Sequence, residues 1–569
     1  MKGVQGRTHT GRLRLMLGFW LLVLLALVAR AVDLHVLQQE FLAEQGRERN
    51  LRVEPLAAHR GVIRDRQGKP LAVSTPVTSL WADPRAVLEA PEQWARLRNH
   101  PVFDRDELAS AVRGREDREF VYLERHLPPD EADKVLEHNV PGIHALTEYR
   151  RYYPAGEVAS HVVGMTNIDE QGQEGVELAF NDILKGEPGR KKVVRDLHGR
   201  VIRDLEVMEP ADPGTDLNLS IDLRIQYLAY RELLSAVQEH QAASGSAVVL
   251  DATTGEVLAM ANHPSYNPNQ RARQKPAARR NRAATDLFEP GSTIKPLTVA
   301  AALQNNLVTP RTTIDTSPGH IRVGGKTIRD HRNYGRLEVS DVLTKSSNVG
   351  ATRLALRMDE HRLPRFFGRF GLGEDTGLDF PGESQGVLPW RTQWRDIEQA
   401  TLSYGYGLSM TVLQLARAYA VLAHEGKRIP LTLRKREAAP EGQQVLDPDV
   451  ANQMVTMLRS VVSREGTARR AMVAGYEVAG KTGTVHKVTD NGYADDRYIA
   501  LFAGMAPAED PRYVTVVLVD DPRGEDYFGG LVAAPAFARI MEGVLRTLEV
   551  APRDPAGTWA GGDEKGGAT

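Results

Sequence analysis

The hydrophobic pattern divides the chain into three textures. Leu15 to Ala29 (LMLGFWLLVLLALVA) carries no charge, and Lys2, Arg7, Arg12 and Arg14 precede it with no acidic residue. Crossing a bilayer takes about 20 apolar residues. Leu13, Ala31 and Val32 lengthen the run once Arg12, Arg14 and Arg30 reach toward head groups. The pattern predicts a transmembrane anchor over 13–33 and, by the positive-inside rule, a cytoplasmic segment 1–12. The competing reading is a cleaved signal peptide at Ala29-Arg30-Ala31, which the Arg within it and Asp33 after it disfavour. Both readings put the chain from about residue 34 outside the inner membrane.

From Asp33 to Pro213 the chain is rich in Arg and Glu and broken by Gly and Pro, with short strand-like pieces at Arg60–Arg64 and Lys192–Arg195. This predicts an irregular mixed α/β domain, 34–215. Pro210-Ala211-Asp212-Pro213-Gly214 is a breaker cluster that marks its end. Beyond it, Asp222 is placed to cap a helix carrying Ile225, Leu228, Leu233, Leu234 and Val237. Ser246–Leu250 and Glu256–Met260 read as a hairpin closed by Asp251-Ala252-Thr253-Thr254-Gly255. After a long, mostly helical middle come strand runs Tyr498–Met505 and Tyr513–Val519 and an apolar helix from about Val532 to Leu548. The fold class predicted is α+β, an antiparallel sheet flanked by helices over 216–550. The Gly-rich tail, 551–569, is expected to be disordered.

Composition narrows the classes of function. The 569 residues hold 72 Lys and Arg against 74 Asp and Glu, a net charge of −2, with 41% apolar residues, so neither a disordered chain nor a nucleic-acid binder is indicated. The absence of Cys excludes a thiol nucleophile, a Cys-based metal site and disulfides.

Three constellations carry candidate chemistry. In Phe288-Glu-Pro-Gly-Ser292-Thr-Ile-Lys295-Pro, the Pro-Gly turn makes Ser292 open a helix, and the i to i+3 spacing sets Lys295 on the same face. That suits a serine nucleophile activated by a lysine whose pKa is lowered by burial and a second cation. Taken alone, a Ser-x-x-Lys on a helix is common by chance. Lys345-Ser346-Ser347-Asn348 offers a proton relay in Ser346 and an amide-binding group in Asn348, or simply a helix cap. Gly480-Lys481-Thr482-Gly483-Thr484 is the third. With Gly475 it matches the phosphate-loop pattern letter for letter, but Tyr476, Glu477 and Val478 fill the loop and Thr484-Val485 continues as strand rather than helix. An extended strand here presents Lys481 to the site and the Thr482 and Thr484 hydroxyls to a substrate carboxylate.

Ser-x-x-Lys, Ser-x-Asn and Lys-Thr-Gly in this order resemble the serine acyl-transferase signature of penicillin-binding proteins and β-lactamases. Arg60-Gly-Val-Ile-Arg-Asp-Arg-Gln-Gly68, Arg151-Tyr-Tyr-Pro154 and Gly172-Gln-Glu-Gly-Val-Glu177 resemble the N-terminal module of class B penicillin-binding proteins. Asn281-Arg282-Ala283, Tyr404-Gly-Tyr-Gly407, Asp526-Tyr-Phe-Gly-Gly530 and Arg30-Ala-Val-Asp33 are similar to the division-specific type (penicillin-binding protein 3, FtsI type). Nearly the whole chain is covered. Thr482 stands where some division enzymes have Ser.

The resemblance implies a pedestal domain of the class B dimerisation type over 34–215 and a transpeptidase domain with a five-stranded sheet over 216–550. It implies acyl transfer on D-Ala-D-Ala stem peptides of septal peptidoglycan, with no cofactor and no metal. Catalytic roles fall to Ser292, Lys295, Ser346, Asn348 and Lys481, with substrate contacts at Thr482, Gly483, Thr484, Tyr406, Tyr527 and Phe528. Tyr406, Tyr527 and Phe528 read equally as ordinary packing. Implied partners are β-lactams, a SEDS-family glycosyltransferase of the FtsW type and divisome proteins. The implied location is the inner membrane at the division septum, single-pass, with the catalytic domain periplasmic. The run Arg271–Arg282, with six positive charges, reads as a solvated face or as an attractor of anionic glycan or lipid.

Other readings stay open: an elongation-type or conditional paralogue, a D,D-carboxypeptidase or β-lactamase, a β-lactam sensor, and a non-catalytic division scaffold. The anchor and N-terminal module argue against a lactamase, and a single span argues against a sensor.

Overall fold

The computed structural model describes residues 10–38, 51–97, 100–195, 201–270, 275–489 and 492–553. The expected tail, 554–569, and the start of the basic run, 271–274, lie outside them. Helix α1 (Thr10–Val32) is followed by a wider turn over Asp33–Leu37. The stretch Gly11–Val36 is long and apolar enough to cross a membrane, and none of its apolar window is buried among the described residues.

The chain folds into two compact units. The first comprises residues 1–59, 76–150 and 186–213; the second takes 60–75, 151–185 and 214–569. The segments Arg60–Thr75 and Arg151–Lys185 thus fold with the C-terminal part, although they look like pedestal sequence. In the first unit, Leu51–Leu56, Gly189–Arg195 and Val201–Glu209 form an antiparallel three-stranded sheet. A small core of Leu80, Val87, Leu97, Leu108, Leu127 and Val135 sits elsewhere in that unit.

The second unit explains why the N-terminal motifs belong with it. Glu177, fully buried, accepts from Arg151 Nε at 2.6 Å and from Arg60 Nε at 2.8 Å. Arg60 also donates to the Glu177 carbonyl, and Arg151 to the Gly61 carbonyl and Ser74 Oγ. One carboxylate so serves two guanidiniums, and backbone and side-chain oxygens take their remaining N–H groups, the condition under which buried charges are tolerated. The strand expected over Arg60–Arg64 is confined to Ile63–Arg64 because Arg60 is committed to this cluster.

The rest of the second unit is built on helix α2 (Leu223–Glu239), strands β1 (Ser244–Asp251) and β2 (Val257–His263), helix α3 (Lys295–Gln304), helices α4 (Asn348–Ala355), α5 (Arg362–Arg369) and α6 (Val412–Ala423), strands β3 (Ala479–Thr489), β4 (Gly492–Ala506) and β5 (Tyr513–Asp520), and helix α7 (Gly529–Thr547). Asp222 caps α2 by accepting from Arg224 N, as expected. The five strands form one antiparallel sheet in the order β2-β1-β5-β4-β3. Side chains alternate across it. Position 245 faces Leu233 and Val237 of α2, whereas Ser244 and Ser246 share a cavity wall with Val412 of α6. Helices therefore cover both faces. Helix α7 packs beside α2, its Phe537 edge-on to Phe502 of β4 at 4.6 Å. The middle is less helical than its sequence suggests: Thr313–Asp315 pairs with Arg336–Glu338, and between them His320–Val323 and Lys326–Arg329 form a small hairpin.

Replacing Glu177 by Ala strands two buried guanidiniums, and we expect a loss of about 3–5 kcal/mol. Thermal unfolding of the intact chain in detergent checks this; an unchanged midpoint would show that the cluster does not hold the motifs together.

Candidate active site

Helix α3 lies at the centre of the second unit. It is buried on all sides from Lys295 to Leu303, and Lys295, its first residue, is fully enclosed. Ser292 sits just before it in a 3-10 turn, Gly291–Ile294. In such a turn residues i and i+3 eclipse, which aligns Ser292 with Lys295 more closely than an α-helix would. Thr293 Oγ1 donates to the Pro290 carbonyl at 2.7 Å, and the buried Tyr419 hydroxyl of α6 donates to the Thr293 carbonyl at 2.8 Å. The segment after α4 and α5 closes the other side. Gly291 N donates to the Gly405 carbonyl, and at Gly405 (φ +92°) a Cβ would lie 2.1 Å from the Gly291 carbonyl oxygen. Only glycine permits that approach.

The second constellation enters from the turn before α4. Ser346 takes a left-handed conformation (φ +58°), rare for a residue with a Cβ and characteristic of functional turns. Ser347 caps α4 by accepting from Gly350 N at 2.8 Å, so the cap reading of this segment holds for Ser347. Asp330, at the end of the Lys326–Arg329 strand, clamps the same turn. Its carboxylate accepts from Ser347 Oγ at 2.6 Å, Asn348 N at 2.6 Å and Val349 N at 3.0 Å. Asn348 Nδ2 donates to the Arg329 carbonyl at 3.0 Å, which turns Asn348 Oδ1 toward Lys295.

The third constellation lies on β3, the outer strand of the sheet, as the strand reading over the phosphate-loop match requires. Lys481 reaches Ser346 and position 483 meets Thr293 of the nucleophile's turn, while Thr482 Oγ1 accepts from Lys481 Nζ at 3.4 Å. Thr482 Oγ1 donates to Thr467 Oγ1 at 3.2 Å, and Thr484 Oγ1 accepts from Gly529 N at 3.0 Å.

The three segments meet at Ser346. Lys295 Nζ donates to the Ser346 carbonyl at 2.6 Å, to Ser346 Oγ at 3.2 Å and to Asn348 Oδ1 at 2.7 Å. Lys481 Nζ donates to the same Ser346 Oγ at 3.0 Å and to the Thr482 carbonyl at 3.2 Å. Among the described residues Lys295 makes no hydrogen bond to Ser292, whose side chain is partly open to solvent. Burial, with the Lys481 charge second, holds Lys295 well below an ordinary lysine, and the Asp330 carboxylate pulls it back up. Burial lowers Lys481 to about 7. A neutral amine and an ammonium flanking one hydroxyl can pass a proton through it.

The predicted aromatic residues fall into two groups. Tyr527 and Phe528 stack at 4.4 Å, Tyr527 stacks on Tyr498 at 4.2 Å, and His331 meets the edge of Phe528 at 6.4 Å. Tyr406 stands apart, with Tyr404 and Tyr493 each 5.7 Å away. Glu289 ties this second group to the nucleophile's segment, accepting from Gly407 N at 2.8 Å and from the Tyr493 hydroxyl at 2.9 Å. Asp330, Glu289, Tyr493 and Thr467 escaped the sequence reading. Asp330 had one usable signal, an acidic residue at a hairpin end shortly before the Ser-Ser-Asn turn. The others have none in one sequence. The basic run is partly structural, since Arg280 and Arg282 pair with Asp286 at 2.6 and 2.8 Å.

Two family models match the chain. The penicillin binding protein transpeptidase domain covers residues 245–542 and the penicillin-binding protein dimerisation domain covers 55–219. The chain is 44% identical to the peptidoglycan D,D-transpeptidase FtsI of Escherichia coli K12, over 95% of this chain and 92% of the relative. It is 42% identical to the probable peptidoglycan D,D-transpeptidase PbpC of Pseudomonas aeruginosa, over 95% and 96%. Among solved structures, the transpeptidase domain of Burkholderia pseudomallei penicillin-binding protein 3 superposes with a TM-score of 0.55 at 44% identity, covering 59% of this chain and 98% of that one. Penicillin-binding protein 3 of Mycobacterium tuberculosis complexed with aztreonam gives 0.68 at 30% identity, covering 89% and 99%. With the serine–lysine site, the sheet and these matches in hand, the chain belongs to the penicillin-binding protein transpeptidase family.

Proposed function

We propose that this protein is the division-type peptidoglycan D,D-transpeptidase, cross-linking stem peptides through a serine acyl-enzyme on Ser292. The observation that carries this reading is the convergence of Lys295, Ser346, Asn348 and Lys481 from three distant segments into one buried hydrogen-bonded cluster around Lys295, three residues after Ser292. A surface serine or a structural lysine has no use for two buried lysine amines sharing one hydroxyl.

In this reading Ser292 Oγ attacks the carbonyl carbon of the penultimate D-Ala, and its proton passes to neutral Lys295 Nζ. The backbone amides of Ser292 and Thr484 stabilise the oxyanion, by family analogy, usually the largest single term in such chemistry. The C–N bond then breaks, and the leaving D-Ala amine takes its proton from Ser346 Oγ, which is refilled by Lys481. A second strand's amine attacks the acyl-enzyme, yields a proton to the site and restores Ser292. Asn348 holds the donor peptide, and Thr482, Gly483 and Thr484 present the edge of β3 to it. Because β3 is the outermost strand, a peptide can add to it as a sixth strand. Tyr406, Tyr527 and Phe528 wall the donor site. β-Lactams, which mimic the D-Ala-D-Ala amide, acylate the same serine.

The apolar α1 supports anchoring in the inner membrane with the N-terminus cytoplasmic and the catalytic unit periplasmic, at the division septum. A SEDS-type glycosyltransferase of the FtsW kind beside the anchor and divisome proteins on the N-terminal module complete this reading; the likeness to FtsI supports it.

Incubating the intact chain with benzylpenicillin, wild type beside Ser292→Ala, tests the assignment by mass. A stable adduct on the wild type alone is expected. Drug consumed without an adduct would make the chain a lactamase, and drug recovered unchanged would make it a scaffold. Acylation should quicken from acid toward neutral pH as Lys295 loses its proton, and level or fall above about 7, where Lys481 loses its own; a rate flat from acid to alkaline pH would remove Lys295 as the base. Asp330→Asn deletes a negative charge that favours protonated Lys295, so the acid limb should move to lower pH while the rate falls about tenfold or more from the loosened turn. An unmoved limb would reduce Asp330 to a helix cap.

A further inference from the structure

Away from Ser292, the second unit carries an aromatic and basic surface that the acyl-transfer chemistry does not use. Trp390 is 61% exposed, an unusual degree for the largest side chain, and Val387 beside it is 54% exposed. The Arg365 guanidinium lies 5.8 Å from the Trp390 ring centre, and the His361 ring stacks on it at 5.9 Å. These two residues hold the indole in place while leaving most of it open. Arg369 stands one turn on from Arg365, on the same face of α5. The neighbouring acids are already engaged: Glu398 by Arg395 and Arg391, and Glu360 by Trp394 N and His361. Among the described residues no carboxylate lies within ion-pair distance of Arg365 or Arg369, so the patch is left net positive.

Its place in the fold links it to the nucleophile. Val387 and Ser409 exchange hydrogen bonds at 2.8 and 2.9 Å, and the next residue, Met410, exchanges two with Phe288 at 3.0 Å. Phe288 begins the segment that ends at Ser292. Two successive backbone bridges therefore connect the Trp390 loop to the wall of the site.

We propose that α5 and the loop 387–390 bind the glycan of the same un-cross-linked strand whose stem peptide enters the Ser292 site, a sugar ring on Trp390 and neighbouring stem-peptide carboxylates on Arg365 and Arg369. The proposal rests on the transpeptidase reading. An indole offers a flat apolar face to the C–H face of a pyranose, with little side-chain entropy to lose. Arginines match carboxylates in charge and geometry. A strand carrying a carboxylate-rich peptide on alternate sugars presents both features at a regular spacing. The surface would raise the local concentration of donor peptides at Ser292 without touching the bond that breaks.

The test uses the full chain in detergent micelles with three probes: un-cross-linked glycan strands with stem peptides, the same strands stripped of peptides, and phosphatidylglycerol vesicles. Trp390→Ala is expected to weaken binding of both strand types about tenfold. Arg365→Gln combined with Arg369→Gln is expected to weaken binding of peptide-bearing strands alone. Benzylpenicillin acylation of Ser292 should stay within about twofold of wild type in each, since none of the three side chains bonds the cluster of Lys295, Ser346 and Lys481. Strand affinity unchanged in the variants overturns the proposal, as does binding that follows the vesicles instead of the strands. Slowed penicillin acylation in Trp390→Ala also overturns it, placing the indole in the Ser292 site. A wild type that forms no penicillin adduct sinks the transpeptidase reading itself, whereas a normal adduct with unaltered strand binding sinks only this surface.

Discussion

Two lysine amines share one hydroxyl in an interior closed to water, and the site is organised around that conflict. Lys295 and Lys481 are both fully buried and both donate to Ser346 Oγ. Burial disfavours the charge on both amines, and the Lys481 charge adds to that effect on Lys295, so the pair sheds a proton near neutrality. That makes a base available without an external activator. The arrangement is costly to stability, and the surrounding packing offsets the cost: α3 is buried from Lys295 to Leu303, and the Asp330 carboxylate supplies a compensating negative charge.

The scaffold then solves a positional problem. Ser292 must be partly open while Lys295, three residues later, is enclosed. A 3-10 turn leading into a buried helix does both, because the turn sits at the surface of the layer and the helix runs inward. Tyr419 and Gly405 pin that turn from two other elements, and Glu289, just before it, ties it to Gly407 and Tyr493. The sheet contributes its outer strand, so Lys481 points inward while the strand's free edge stays open for an extended substrate. A central strand offers no such edge.

The N-terminal motifs follow the same logic at a distance. Arg60, Arg151 and Glu177 lie far apart in sequence, and each is a charged residue that a local reading assigns to the surface. Together they form a satisfied buried cluster that draws their segments into the catalytic unit. Segments that look like one irregular domain are therefore divided between two compact units.

What the sequence by itself determined is what local physics controls. The apolar run of α1 is long enough to cross a membrane, the Asp222 cap and the 3.6-residue period select α2, and the turn before Val257 closes a hairpin. Proline and glycine before Ser292 force a helix start, and the bulk of Tyr476 to Val478 rules out a phosphate cradle. The three serine and lysine motifs were legible as types and in order. Only the tertiary structure decided that Ser346 lies between two lysines, that Asp330 and Glu289 position the site, that Tyr406 packs with Tyr404 and Tyr493 while Tyr527 and Phe528 stack on each other, and that Thr484 is bonded to Gly529. Those outcomes depend on which distant segments burial brings together, and the free energy of burial follows area and shape rather than sequence neighbourhood.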